Sequence, residues 1–185
     1  MHRSATQYTA TQYTATAKSL HWTMAVLIIA LLAIGTSMVF LPKGDLRGEI
    51  VDLHKQLGVA VLALAVIRLA WRAAKGAPAL PAATPALERL AAQAGHAGLY
   101  LLMFAMPLSG LVMSQAGGHP VHLLGLTLPD LVAKNHDLHE LTEGMHEVLA
   151  WATGVLVGLH AAAALRHHLV LKDDVLRRML PQDSR

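Results

Sequence analysis

The sequence predicts an all-α integral membrane protein, a four-helix bundle with both termini in the cytoplasm. Three observations predict it. Hydrophobic residues make up 54% of the 185-residue chain and charged residues only 15%, whereas a soluble domain carries about a quarter charged residues. The apolar residues fall into four long blocks rather than an even scatter. Lysine and arginine gather on one side of those blocks.

The first block, residues 20–41, reads LHWTMAVLIIALLAIGTSMVFL and holds no formal charge. Crossing about 30 Å of hydrocarbon takes roughly 20 apolar residues. The block is too long for a signal-peptide core, and Thr36-Ser37-Met38-Val39-Phe40 makes a poor cleavage site. It is therefore read as a retained helix. The other spans are expected at about 53–71, 93–114 and 145–171. Pro107 should kink the third without ending it, because neighbouring helices can satisfy the freed carbonyl.

Orientation follows from the distribution of basic residues. Of the 15 lysines and arginines, 11 lie in the N-terminal tail, the link between spans two and three, and the C-terminal tail. The other two loops hold Lys43, Arg47, Lys55 and Lys134, against eight acidic residues. This bias accounts for the basic balance, and no nucleic-acid-binding motif accompanies it. Residues 1–17 contain the repeat Ala5-Thr6-Gln7-Tyr8-Thr9, Ala10-Thr11-Gln12-Tyr13-Thr14 and read as a low-complexity, disordered tail before a single domain over 18–185. The link at 76–85 holds Pro78, Pro81 and Pro85 and reads as an extended connector. The outer loop at 115–144 has room for a short amphipathic helix around His136 to Thr142. Trp22, Trp71 and Trp151 suit interfacial positions or helix packing.

Cysteine is absent, which excludes disulfides, Cys-ligated zinc, iron–sulfur clusters and covalently attached haem. Histidine is abundant, at 12 residues, and ionisable residues inside spans are rare and tend to mark function. His146 and His160 are 14 residues apart, nearly four turns, so both point the same way with about 21 Å between them along the axis. The first span begins on the inner side with His21, and the second begins on the outer side with His54. Depth thus matches His21 with His160 and His54 with His146. Two facing imidazoles are what a b-type haem needs across its iron, so one chain can hold two stacked haems. Gly35, Gly154 and Gly158 fall where missing side chains let a porphyrin approach the backbone.

His96, near the inner edge of the third span, competes with His21, which is favoured; His96 is then a supporting or quinone-site residue. His119, His122, His136 and His139 in the outer loop have His-x-x-His spacings that would suit zinc or copper on a helix, and are read as solvated loop residues. Arg68, Arg72 and Lys55 are candidate partners for haem propionates.

Leu20-His21-Trp22, Leu53-His54-Lys55 with Leu57-Gly58, Gly95-His96 with Leu99-Tyr100-Leu101-Leu102, Pro107 with Ser109-Gly110-Leu111-Val112-Met113, and Gly158-Leu159-His160 through Leu165 with His167-His168 resemble the bacterial di-haem cytochrome b561 family. The resemblance runs from about Ala17 to Pro181 and is close to the superoxide oxidase branch. It implies two non-covalent haem b groups, with His21 and His160 holding the inner one and His54 and His146 the outer one. It implies oxidation of periplasmic superoxide to dioxygen, ubiquinone as electron acceptor, and a bacterial inner-membrane location in contact with membrane lipid. His167 matches a histidine near the family's quinone site, and His168 and His96 are further candidate proton relays. No obligatory protein partner is expected. The acid-rich outer loops make a poor field for steering an anion, although Lys43, Arg47 and Lys55 can form a local patch. Two rival functions fit parts of this pattern: an electron-conduit subunit serving a periplasmic dehydrogenase or hydrogenase, and a histidine-based metal or proton transporter.

Overall fold

The computed structural model describes residues 12–81 and 84–180. Four helices dominate it: α1 (Ala15–Phe40), α2 (Asp45–Lys75), α3 (Ala86–Ala116) and α4 (His136–Arg166), the last continuing as a turn of π-helix over His167–Leu171. All four are long and apolar enough to cross a membrane. The bundle packs α3 on α4, α1 on α2, and α2 on α3. The start of α1, the segment after α4 and the described residues of the α2–α3 link lie at one end, hereafter the terminus end. The α1–α2 turn and the α3–α4 loop lie at the other, the loop end.

The helices outrun the predicted spans because hydropathy registers only the stretch that lies in hydrocarbon. The polar run Asp45 to Asp52 continues α2 as helix beyond the apolar block. The largest difference is at α4, which begins at His136 under an Asn135 cap whose side chain accepts from the Leu138 amide at 3.0 Å. The separate short helix expected around His136 to Thr142 is therefore the opening of α4 itself. The outer loop instead carries a small hairpin, β1 (His122–Leu123) paired antiparallel with β2 (Leu126–Thr127). Leu124 and Gly125 turn it with positive φ at both positions. At the other terminus Thr14 caps α1 and Ala15 starts it, so the helix reaches into the segment read as a tail. The disorder expected for residues 1–11 falls outside the described residues. α3 runs through Pro107 without a break.

The buried centre is small. Met24 of α1 meets Val61 and Ala65 of α2, flanked by Leu27, Ile28, Leu31, Leu64, Met103 and Phe104. Large apolar side chains such as Val26, Leu101, Leu159 and Trp151 face outward. In water such a surface would aggregate; in a bilayer it is the lipid-facing side, and the helices associate through close packing and polar contacts. Trp22 and Trp71 do sit at the terminus end, donating through Nε1 to the Met179 carbonyl at 2.9 Å and to Thr14 Oγ1 at 3.0 Å.

Side-chain bonds fasten both ends. At the terminus end Lys18 donates to the Leu180 carbonyl at 2.8 Å, Arg178 to the Ala79 carbonyl at 2.7 Å, and Arg166 pairs with Glu88 at 3.2 Å. At the loop end Gln115 is almost wholly buried, donates to the Pro129 carbonyl and accepts from the Leu131 amide. This single amide side chain satisfies two backbone groups of a loop that has little regular structure of its own.

Candidate functional site

Two groups of histidines occupy the bundle, one near each end. Near the loop end His54 of α2 faces His146 of α4, with ring centroids 6.3 Å apart and planes at 78°. Near the terminus end His21 of α1 faces His160 of α4 at 6.2 Å and 73°. These are the pairs expected from depth. Neither α1 nor α2 packs among the close helix pairs with α4, so each histidine pair reaches across a wider gap.

The loop-end pair has its surroundings defined on three sides. Ser109 Oγ donates to the Met106 carbonyl at 2.8 Å and lies 3.0 Å from His146 Nδ1. A hydroxyl has one hydrogen and the carbonyl can only accept, so Nδ1 of His146 is the donor to Ser109. That fixes the tautomer and leaves a lone pair on Nε2, the arrangement a metal-binding histidine adopts. Gly110 permits the approach, since a Cβ there would stand 2.9 Å from His146 Cε1. Gly35 does the same for its neighbour, with a Cβ 3.3 Å from His54 Cε1. His54 Nδ1 is buried and has no hydrogen-bond partner, and an orphaned polar atom of this kind carries a desolvation cost. At Gly154 and Gly158 an added Cβ would meet nothing within 4 Å, so α4 is open between its two histidines.

The terminus-end group has a third member. His96 of α3 lies 5.6 Å from His160, ring centroid to centroid. Arg68 Nη2 stands 3.3 Å from His21 Nδ1, and because arginine only donates, Nδ1 accepts here. Arg68 and Arg72 both lie over the Tyr100 ring, at 6.0 and 5.6 Å. Beyond this group His167 makes a 2.6 Å bond from Nδ1 to Asp173 Oδ2, and His168 Nδ1 is buried without a partner. Burial by itself would raise the Asp173 carboxyl. The bonds from His167 and the Val175 amide, with the charges of His167 and Arg178, outweigh it and hold Asp173 below its ordinary 3.8. With the folded value depressed, its stabilising contribution is present above the unfolded 3.8 and is lost as pH falls through the lower folded value.

The ring spacing of both pairs suits a haem iron, with the loop-end pair also in the right tautomer and His21 held in the opposite one by Arg68. An imidazole nitrogen bonds a metal at about 2.0–2.1 Å, so two imidazoles on opposite sides of one iron have ring centroids about 6.3 Å apart. Both expected pairs match that spacing, and the free Nε2 of His146 supplies the right donor atom. His96 with His160 is the tighter pair.

The remaining candidates are placed less suggestively. Lys55 is paired with Asp52 at 3.1 Å, whereas Arg47 donates to the Met38 carbonyl at 3.2 Å and keeps its charge. His119 and His122 lie outside helix, with His122 Nδ1 3.1 Å from Thr127 Oγ1. His136 is exposed beside Glu140. His139 departs from the solvated reading: its Nδ1 donates to the Met113 carbonyl at 2.9 Å, clamping the start of α4 to the end of α3. Among the described residues no three His, Asp or Glu side chains are arranged to hold a bare metal ion between them.

A membrane four-helix bundle with facing histidine pairs at two depths defines the class of membrane-embedded b-type cytochromes. Residues 12–182 match the family model described as prokaryotic cytochrome b561, and the chain belongs to that family. It is 38% identical over 167 residues to cytochrome b561 homolog 2 of Escherichia coli, covering 89% of this chain and 88% of that protein. It is 32% identical over 164 residues to the probable superoxide oxidase CybB of Yersinia pestis, covering 88% and 92%. Cytochrome b561 homolog 1 of Escherichia coli is 29% identical over 164 residues, covering 88% and 93%. The protein is thus a membrane-bound, b-type-haem electron carrier.

Proposed function

We propose that the protein oxidises superoxide at its loop end and delivers the electrons to ubiquinone at its terminus end. The loop end faces the periplasm, and both termini lie in the cytoplasm of a bacterial cell bounded by this inner membrane. His54 with His146, and His21 with His160, would hold two haem b groups, and His167 would serve the quinone. The observation that carries the reading is the pair of 6.2 and 6.3 Å histidine contacts at opposite ends of one helix. The likeness to a probable superoxide oxidase supports the choice of donor.

Bound haem supplies a one-electron carrier at each level. The rest falls to the side chains. Two histidines for each haem would saturate its iron, so superoxide would give up its electron without binding the metal. Ser109 orients His146 through Nδ1, and Gly35 and Gly110 make room for the rings. Arg68 must leave His21 Nδ1 for that ring to present Nε2 in the same tautomer, and its guanidinium is then available to a propionate. The overall reaction balances as two superoxide ions, one quinone and two protons giving two dioxygen molecules and one quinol. The protons enter from the cytoplasmic side.

The test uses haem-loaded protein in vesicles containing ubiquinone, pulsed with superoxide. One quinol is expected for every two superoxide ions consumed; reduction of quinone by other donors with no superoxide oxidation contradicts the reading. Because the outer loops hold eight acidic residues against four basic ones, no attractive field is expected. Raising ionic strength should leave the superoxide rate unchanged or increase it, where an electrostatically steered reaction would slow. A steep fall with salt would show a cationic entry and contradict this expectation.

A further inference from the structure

Asp173 plays no part in the reading above, yet it is built onto His167 by several backbone features. The π-helical turn His167–Leu171 ends at Lys172, whose φ of 53° reverses the chain. The amides of Lys172 and Asp173 both return to the His167 carbonyl, the latter at 3.2 Å. The turn is thereby closed on the residue it serves. Asp173 Oδ1 accepts from the Val175 amide at 3.0 Å, which leaves Oδ2 for His167 Nδ1 at 2.6 Å. The segment beyond is pinned to the bundle by Trp22 on the Met179 carbonyl and Lys18 on the Leu180 carbonyl. His167 and Arg178 are the charged groups that act on the Asp173 carboxylate, and His168 and Lys172 are its neighbours along the chain.

We propose that Asp173 is the positioning residue of a carboxylate–imidazole relay, through which His167 passes a cytoplasmic proton to the quinone being reduced. The inference rests on the assignment of His167 to the quinone. A carboxylate only accepts, so His167 Nδ1 keeps its hydrogen and Nε2 is the exchanging atom. In the transfer the Nε2–H bond breaks and an O–H bond forms on a quinone oxygen. The ring returns to its neutral Nδ1–H form, still donating to Asp173, and Nε2 takes its next proton from cytoplasmic water. The two electrons for each quinone come from two superoxide ions, which leave as dioxygen, and two passages of the relay supply both protons.

Asp173→Asn tests this with little disturbance of the fold. The Val175 amide retains the side-chain carbonyl oxygen, so the new NH₂ faces His167 Nδ1 and forces the ring into the Nε2–H tautomer. A neutral ring in that form cannot surrender the Nε2 proton and remain neutral. Positioned acid–base groups are worth about 10²- to 10⁴-fold in rate. Ubiquinone turnover of the haem-loaded full chain should therefore fall at least about tenfold in kcat, with KM for quinone unchanged. Nitrogen-15 spectra of histidine-labelled protein, with the His167 signals assigned by their loss in His167→Gln, should show Nδ1–H in the parent and Nε2–H in Asp173→Asn. Asp173→Glu should restore most of the turnover, and haem content should be the same throughout. Parent-like turnover in Asp173→Asn while His167→Gln is slow overturns the positioning role and leaves His167 with the quinone. Slow turnover with an unchanged tautomer also overturns it, marking Asp173 as a structural tie. Parent-like turnover in His167→Gln overturns the quinone assignment and this inference together.

Discussion

Replacing His160 with alanine is expected to reduce the haem content from two per chain to about one. His160 is the common partner at the terminus end, 6.2 Å from His21 and 5.6 Å from His96, so its loss removes an axial ligand whichever of the two stands opposite. The loop-end pair lies about 21 Å along α4 and should keep its haem in part, because the two ligand sets share that helix. The companion variants separate the candidates. His21→Ala should lose the same haem, whereas His96→Ala should keep both. Haem content with low-spin spectra reads each result, and two low-spin haems in both His160→Ala and His21→Ala would sink the ligand assignment.

At the loop end His146→Ala is expected to remove the other haem and reduce superoxide oxidation to background. The smaller change Ser109→Ala separates ligation from orientation. Ser109 accepts the His146 Nδ1 hydrogen while donating to the Met106 carbonyl. Without it the ring loses the Ser109 contact that orients Nδ1 but not its Nε2. Changes at such supporting residues cost about 10- to 100-fold in metal affinity or activity. Ser109→Ala should therefore retain two haems at saturation and release the loop-end one more readily during titration with a haem-binding competitor. Unchanged release kinetics would show that the Ser109 bond does not set the His146 orientation.

These predictions draw on features of unequal visibility in the sequence. The four spans were legible because an apolar stretch must match the hydrocarbon, and that constraint acts on consecutive residues. Helix ends were not, because charged residues such as Asp45 and Glu49 continue a helix once it leaves the apolar layer, so α4 begins at His136 rather than at its first apolar run. Spacing and direction alone placed His54 level with His146 and both His21 and His96 level with His160, since helical geometry converts residue number into depth, but depth does not choose between His21 and His96. Ser109 and His146 are 37 residues apart and meet only through α3–α4 packing, so no local pattern announces their bond. Asp173 reaches His167 through a left-handed turn at Lys172, a residue type that gives no sign of such a turn. His139 was hidden for a related reason, as its partner is a backbone carbonyl on another helix.

The central claim is that four histidines make this chain a two-level electron path. The measurement that tests it most directly is a pyridine-haemochrome count on detergent-purified protein expressed with ample haem, paired with oxidised and reduced spectra. Two haem b groups per chain, both low-spin, is the expected result. A single haem would mean that one of the two facing pairs serves another purpose, and the path across the membrane would fail.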